Sequence, residues 1–131
     1  MRYKKGYKYQ LVDNFYHTLS FYTEELIELP FIQLNDNELL IKKGYAWDGP
    51  SGPAWDTKNF MVASLVHDVL YQLMRMDLIS IDLRKNADLE MKKICLKYRM
   101  NVFRADYIYF LVRLCARNAA LPKNLKKIIK V

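Results

Sequence analysis

The feature that most constrains this chain is a change of hydrophobic period near Lys58. Before it, most clearly over Phe15–Tyr22, apolar side chains recur every second residue; after it they recur at three and four. A period of two builds strands with one buried face, and a period near 3.6 builds amphipathic helices. Strands followed by helices, rather than alternating with them, imply an α+β fold. The expected architecture is a small N-terminal antiparallel β hairpin or meander followed by a bundle of about three helices. The chain has 131 residues, which suits a single domain, 1–131: strand-rich over 1–45, a Gly/Pro loop over 44–57, helical over 58–131.

Within the first part, Tyr7–Val12 reads as a short strand and Asp13-Asn14 as a turn. From Phe15 to Tyr22 the alternation is clear, with Phe15, His17, Leu19 and Phe21 on the face expected to be buried. Phe31–Leu34 and Glu38–Lys42 flank the turn residues Asn35-Asp36-Asn37. In the second part a first helix is expected over Lys58–Met76. Phe60, Ala63, His67, Leu70, Tyr71 and Met74 share one face, and Met61, Leu65, Val69 and Leu73 share another. A helix apolar on two faces belongs in the centre of a core. A second helix is expected from Ser80 or Asp82 to about Met100, with Leu83, Ala87, Met91, Ile94, Cys95 and Tyr98 inward. A third is expected over Phe103–Ala119, with Ala105, Ile108, Val112, Cys115 and Ala116 inward, and Pro122 ends it. Cys95 and Cys115, inside apolar patterns and without a C-x-x-C spacing, read as two buried thiols of a reducing compartment.

The joint between the two parts is the densest segment. Gly44-Tyr-Ala-Trp-Asp-Gly-Pro-Ser-Gly-Pro-Ala-Trp-Asp holds three glycines, two prolines and two Trp-Asp pairs. Such a loop presents shaped backbone amides and carbonyls, suited to an ion or an oxyanion. Trp47, Asp48, Gly49, Ser51 and Gly52 are its candidate site residues. The helix that follows carries His67, Asp68 and Tyr71. Adjacent helical side chains diverge by about 100°, so His67 and Asp68 serve different directions. Tyr71, four residues on, shares the face of His67. A buried imidazole needs a partner for its second nitrogen, and Asp88, at the edge of the second helix's apolar face, is the candidate. Arg84, at i−4, competes for the same carboxylate as a surface ion pair. A His67–Asp88 pair beside Asp68 and loop carbonyls suits general-base chemistry with a hard divalent ion. Calcium fits better than zinc, since the donors are oxygens.

Three blocks in this region, Gly44-x-x-Trp-Asp-Gly-x-Ser-x-Pro, His67-Asp68-x-Leu-Tyr71 and Arg84-x-x-Ala-Asp88, resemble a phage and prophage domain family of unknown function, family 1353. The resemblance spans Gly44 to Met100 and implies a viral or prophage origin. The same blocks are similar in logic to phospholipase A2. That likeness implies His67 as general base, Asp68 as calcium ligand, Tyr71 and Asp88 as the groups holding the imidazole, and a membrane or envelope ester as substrate. The chain departs from that family in carrying Ser64-Leu65 where those enzymes place paired cysteines.

Charge narrows the partners. The net charge of +7 suits an anionic phospholipid or envelope surface, and nucleic acid as well. The Lys and Arg positions are scattered and show no helix-turn-helix pattern, which disfavours nucleic acid. The basic N-terminus leads into no apolar stretch of signal-peptide type, and no window of 18 apolar residues exists. Together with the phage origin that the resemblance implies, the expected location is the host bacterial cytoplasm or a virion. The competing expectation is a non-enzymatic virion, tail or host-interaction component in which His67, Asp68 and Asp88 form a structural network.

Overall fold

In the computed structural model, which describes residues 1–4, 9–48 and 58–122, seven short strands precede the helices. All strand pairs are antiparallel. β1 (Tyr3–Lys4), β2 (Tyr9–Leu11) and β7 (Ala46–Trp47) form one sheet in the order β1-β2-β7. β3 (Phe15–Thr18), β4 (Leu26–Glu28), β5 (Ile32–Asn35) and β6 (Glu38–Ile41) form a second in the order β3-β6-β5-β4. The α+β expectation holds.

The alternation in the sequence maps directly onto the second sheet. Leu19, Ile27, Ile32, Leu34, Leu39 and Ile41 are buried on its inner face, while Tyr16, Thr18 and Glu38 point outward. The Asn35-Asp36-Asn37 turn joins β5 to β6, with Asp36 at φ 56°. Asp and Asn tolerate that left-handed conformation because their short side chains bond locally; here Asp36 Oδ1 accepts from the Glu24 amide at 2.9 Å.

Two boundaries differ from expectation for visible reasons. The strand expected to run to Tyr22 stops at Thr18. Leu19 still donates to the Asn37 carbonyl, but the next amide, Ser20, donates to the Glu90 carboxylate and leaves the ladder. The Gly/Pro loop begins as structure: Ala46 and Trp47 pair with Gln10 and Tyr9. Gly44 makes this approach possible at φ 94°, and a Cβ there would meet the Phe31 ring at 3.0 Å.

The helices are α1 (Lys58–Arg75), α2 (Arg84–Lys97), α3 (Val102–Cys115) and the short α4 (Arg117–Ala120). Every residue assigned to the two apolar faces of α1 is buried. A single 3-10 turn, Ile81–Leu83, leads into α2, and Ser80 Oγ accepts from the Asp82 amide at 3.1 Å. Asn101 caps α3 by accepting from the Phe103 and Arg104 amides. The third helix breaks at Ala116 rather than running to Ala119. Two inward assignments fail. Tyr98 lies past the end of α2 and is exposed, and Cys115 lies in the last turn of α3 and is exposed, whereas Cys95 is buried. Both thiols are free, and burial pushes the Cys95 thiol up to about 12. Among the described residues no helix is long and apolar enough to cross a membrane.

Candidate functional site

α1 and α2 pack against each other, and α3 packs on α2. This places His67 and Tyr71, one turn apart on α1, opposite Asp88 on α2. The two rings are in contact, tilted 36° to each other with 4.1 Å between centroids, as i and i+4 neighbours can be. His67 Nε2 lies 2.8 Å from Asp88 Oδ1, and the Tyr71 hydroxyl donates to the same oxygen at 2.6 Å. Asp88 is 0% exposed. A carboxylate this deep requires compensation. Arg113 Nη1 on α3 donates to its other oxygen at 2.8 Å, and Arg84 Nε lies 3.9 Å from it. Burial alone would raise the Asp88 pKa. Hydrogen bonds from His67, Tyr71 and Arg113 outweigh it and hold the carboxyl below its ordinary range.

The state of the imidazole follows. Asp88 is ionised and can only accept, so Nε2 carries the proton. Nδ1 has no hydrogen-bond partner among the described residues, and the side chain is 10% exposed. In the neutral ring that nitrogen holds a lone pair. Tyr71 stays a neutral donor, since burial and the Asp88 carboxylate push its pKa up. The expected pairing of His67, Asp88 and Tyr71 is present in this geometry.

Arg84 is not the surface competitor the spacing suggested. It is buried; its Nε donates to the Tyr71 hydroxyl at 3.1 Å and its Nη2 to the Val112 and Arg113 carbonyls at 2.8 and 2.9 Å. A guanidinium on those late carbonyls complements the C-terminal end of α3. Arg113, which holds the second oxygen of Asp88, is the residue of this network that the sequence reading missed. The signal was available: an Asp buried with a His and a Tyr still lacks a fixed cation, and Arg113 follows the inward Val112.

The remaining candidates separate. Trp47 is buried; its Nε1 donates to Ser64 Oγ at 3.1 Å, which anchors β7 to α1. Asp48 is exposed and Asp68 half-buried. The Tyr45 hydroxyl, raised first by burial, is raised further by the carboxylates of Asp68 and Asp48, so both lie within electrostatic reach of one point. Gly49, Ser51 and Gly52 lie outside the described residues. Among the described residues there is no group of three or more His, Cys, Asp or Glu side chains placed to hold a metal ion.

Comparison with protein-family models, curated proteins and solved structures finds no match to this chain.

Proposed function

We propose that this chain is a small phage-encoded hydrolase of phospholipase A2-like logic that cleaves a membrane or envelope ester. One observation carries the reading. His67 is held through Nε2 by an ionised, fully buried Asp88, while Nδ1 has no partner among the described residues. A neutral imidazole oriented by a carboxylate, with its second nitrogen bearing a lone pair, is the arrangement of a general base. In the proposed reaction Nδ1 takes a proton from water as the oxygen attacks the ester carbonyl. The carbonyl–oxygen bond to the alcohol then breaks, and the imidazolium returns the proton to the leaving alkoxide. Asp88 stabilises the imidazolium, and Tyr71 and Arg113 keep Asp88 ionised. Asp68 with loop carbonyls is assigned to calcium, which would supply charge for the developing oxyanion.

The test is fatty-acid release from anionic phospholipid vesicles, with calcium and with EDTA, for the wild type and His67→Gln. The expected loss in the variant is about 10²-fold or more. Equal release by both proteins would overturn the reading, and equal release with EDTA would remove calcium from it.

A second reading has its own observation. Asp88 joins α1, α2 and α3 through His67, Tyr71 and Arg113, and Arg84 ties Tyr71 to the end of α3. A non-enzymatic virion, tail or host-interaction component could use that network for packing alone. It predicts a lower unfolding midpoint for His67→Gln and no hydrolysis by any form.

A further inference from the structure

We infer that copies of this chain associate head to tail, the exposed apolar stripe of α3 in one copy lying across the outer face of the β3-β6-β5-β4 sheet of the next. Two surfaces carry this. The first is on α3, where Phe103, Tyr107, Phe110 and Leu114 are 83%, 59%, 58% and 65% exposed. Their spacing of i, i+4, i+7 and i+11 places them in one line along the helix. A line of four large apolar side chains in water marks an interaction surface rather than scatter.

The second surface is the outer sheet face. The strand register sets Tyr16 beside Leu40 and Gln33 beside Glu28 in one row, and Glu38 beside Asn35 and Leu26 in the next. Tyr16 and Leu26 are 71% and 72% exposed. Tyr16, Leu26, Glu28, Gln33, Glu38 and Leu40 line a groove of about 400 Å³.

Charge selects the occupant. Residues 9–41 contain six Asp or Glu and no Lys or Arg. Residues 84–122 contain nine Lys or Arg and three Asp or Glu; Asp88, Glu90 and Arg84 are buried, and Lys85, Lys93, Lys97, Arg99 and Arg117 are exposed. The groove itself is lined by the Glu28 and Glu38 carboxylates and by no Lys or Arg, whereas the surface of the helical end is basic. Stripe against stripe would bring basic ends together, whereas stripe against groove brings opposite charges together. Dimensions agree: residues 103–114 of a helix span about 16 Å, and four strands span about 14 Å from first to last. An anionic lipid surface would satisfy the helix but leave the acidic groove unexplained. The contact uses two different patches, so it is heterologous and continues into a ring or a filament rather than stopping at a dimer. It shares no residue with the His67–Asp88 site and stands whether or not that site is catalytic.

Sedimentation velocity of the whole chain is the test. For the wild type at low salt, the average mass rises with concentration, and at a given concentration it is lower in high salt as the charges are screened. Glu28→Lys with Glu38→Lys blocks the groove, and Tyr107→Glu with Phe110→Glu blocks the stripe; each is monomeric alone. Mixed, they pair through their intact faces into a one-to-one dimer that grows no further. Far-UV melting checks that each is folded, and the salt titration of the wild type needs no variant. Three results would overturn the inference: a wild type monomeric at every concentration, association that survives either double variant, or a mixture that does not pair. Binding of a monomeric wild type to anionic vesicles would assign the stripe to lipid instead.

Discussion

Two histidine–carboxylate pairs hang from the same helix. Asp88 and Glu90 are two residues apart on α2, about 200° around it, so they face opposite ways. Asp88 faces α1 and α3 and takes His67; Glu90 faces the sheet and takes His17, Nε2 to Oε1 at 2.9 Å. In each pair the acid is buried and the imidazole lies against an aromatic ring, tilted on Tyr71 for His67 and parallel to Phe15 for His17. The side chains of the two histidines are similarly enclosed. A histidine held by a buried carboxylate is therefore not in itself a mark of catalysis. The surroundings differ. Asp88 has a guanidinium bonded to it, whereas the other donors to Glu90 are the Ser20 amide and hydroxyl, with Lys93 reaching only that hydroxyl. The first pair lies where α1, α2 and α3 meet. The second closes the junction between sheet and helices.

Acid tests both pairs at once and carries the largest expected effect. Hydrogen bonding holds each carboxyl below its ordinary value, 3.8 for Asp88 and 4.5 for Glu90, against burial that would raise it. A depressed folded-state pKa contributes stability above the ordinary value and loses it as pH falls through the folded one. The contribution of these pairs to the urea midpoint is expected to be fully present at pH 7 and to be lost below about pH 4. An unchanged midpoint down to pH 3 would mean that neither carboxylate is held as described.

Loss of the Asp88 charge is expected to do the greater damage of the two acids. Asp88→Asn leaves the Arg113 guanidinium without its carboxylate inside a network built around that charge. Removing one member of a buried ion pair costs about 3–5 kcal/mol. Because Arg113 is about a third exposed, the lower end is expected here, near 3 kcal/mol by urea denaturation at pH 7. A loss under about 1 kcal/mol would make Asp88 a bystander.

The difference between the pairs also explains what could be read from the sequence. His67 and Asp88 are 21 residues apart on consecutive helices, where apolar spacing alone puts both on facing sides. His17 and Glu90 are 73 apart. The strand alternation did assign His17 inward, and Glu90 follows Ala87 at inward helical spacing. Joining them required knowing that the sheet packs on α2, which no local pattern states. β4 escaped for a similar reason: Leu26–Glu28 is three residues between Glu24, at φ 58°, and Pro30, and only its pairing with β5 makes it a strand. Arg84 was seen but given the wrong environment, because a surface ion pair and a buried cap have the same spacing to Asp88.

Glu90→Gln is expected to cost less than Asp88→Asn, about 2 kcal/mol, since no guanidinium is left uncompensated and the loss is of hydrogen bonds to His17 and Ser20. The sharper readout is where the damage falls. Amide exchange should quicken at Ser20 and its neighbours while α1 stays protected. Uniform loss of protection would place both acids in one cooperative unit and erase the distinction drawn between them.

The smallest effect separates the hub from its spokes. Tyr71→Phe removes one hydroxyl that donates to Asp88 and accepts from Arg84. Asp88 keeps His67 and Arg113, and Arg84 keeps two carbonyls, so about 1 kcal/mol is expected. The ranking matters more than the value. If Tyr71→Phe costs as much as Asp88→Asn, then the Arg84–Tyr71 contact, not the carboxylate, holds α1 to α2. His67 would then be oriented by packing rather than by charge. If the ranking holds and Tyr71→Phe slows ester cleavage more than its stability loss explains, Tyr71 acts by positioning the imidazole.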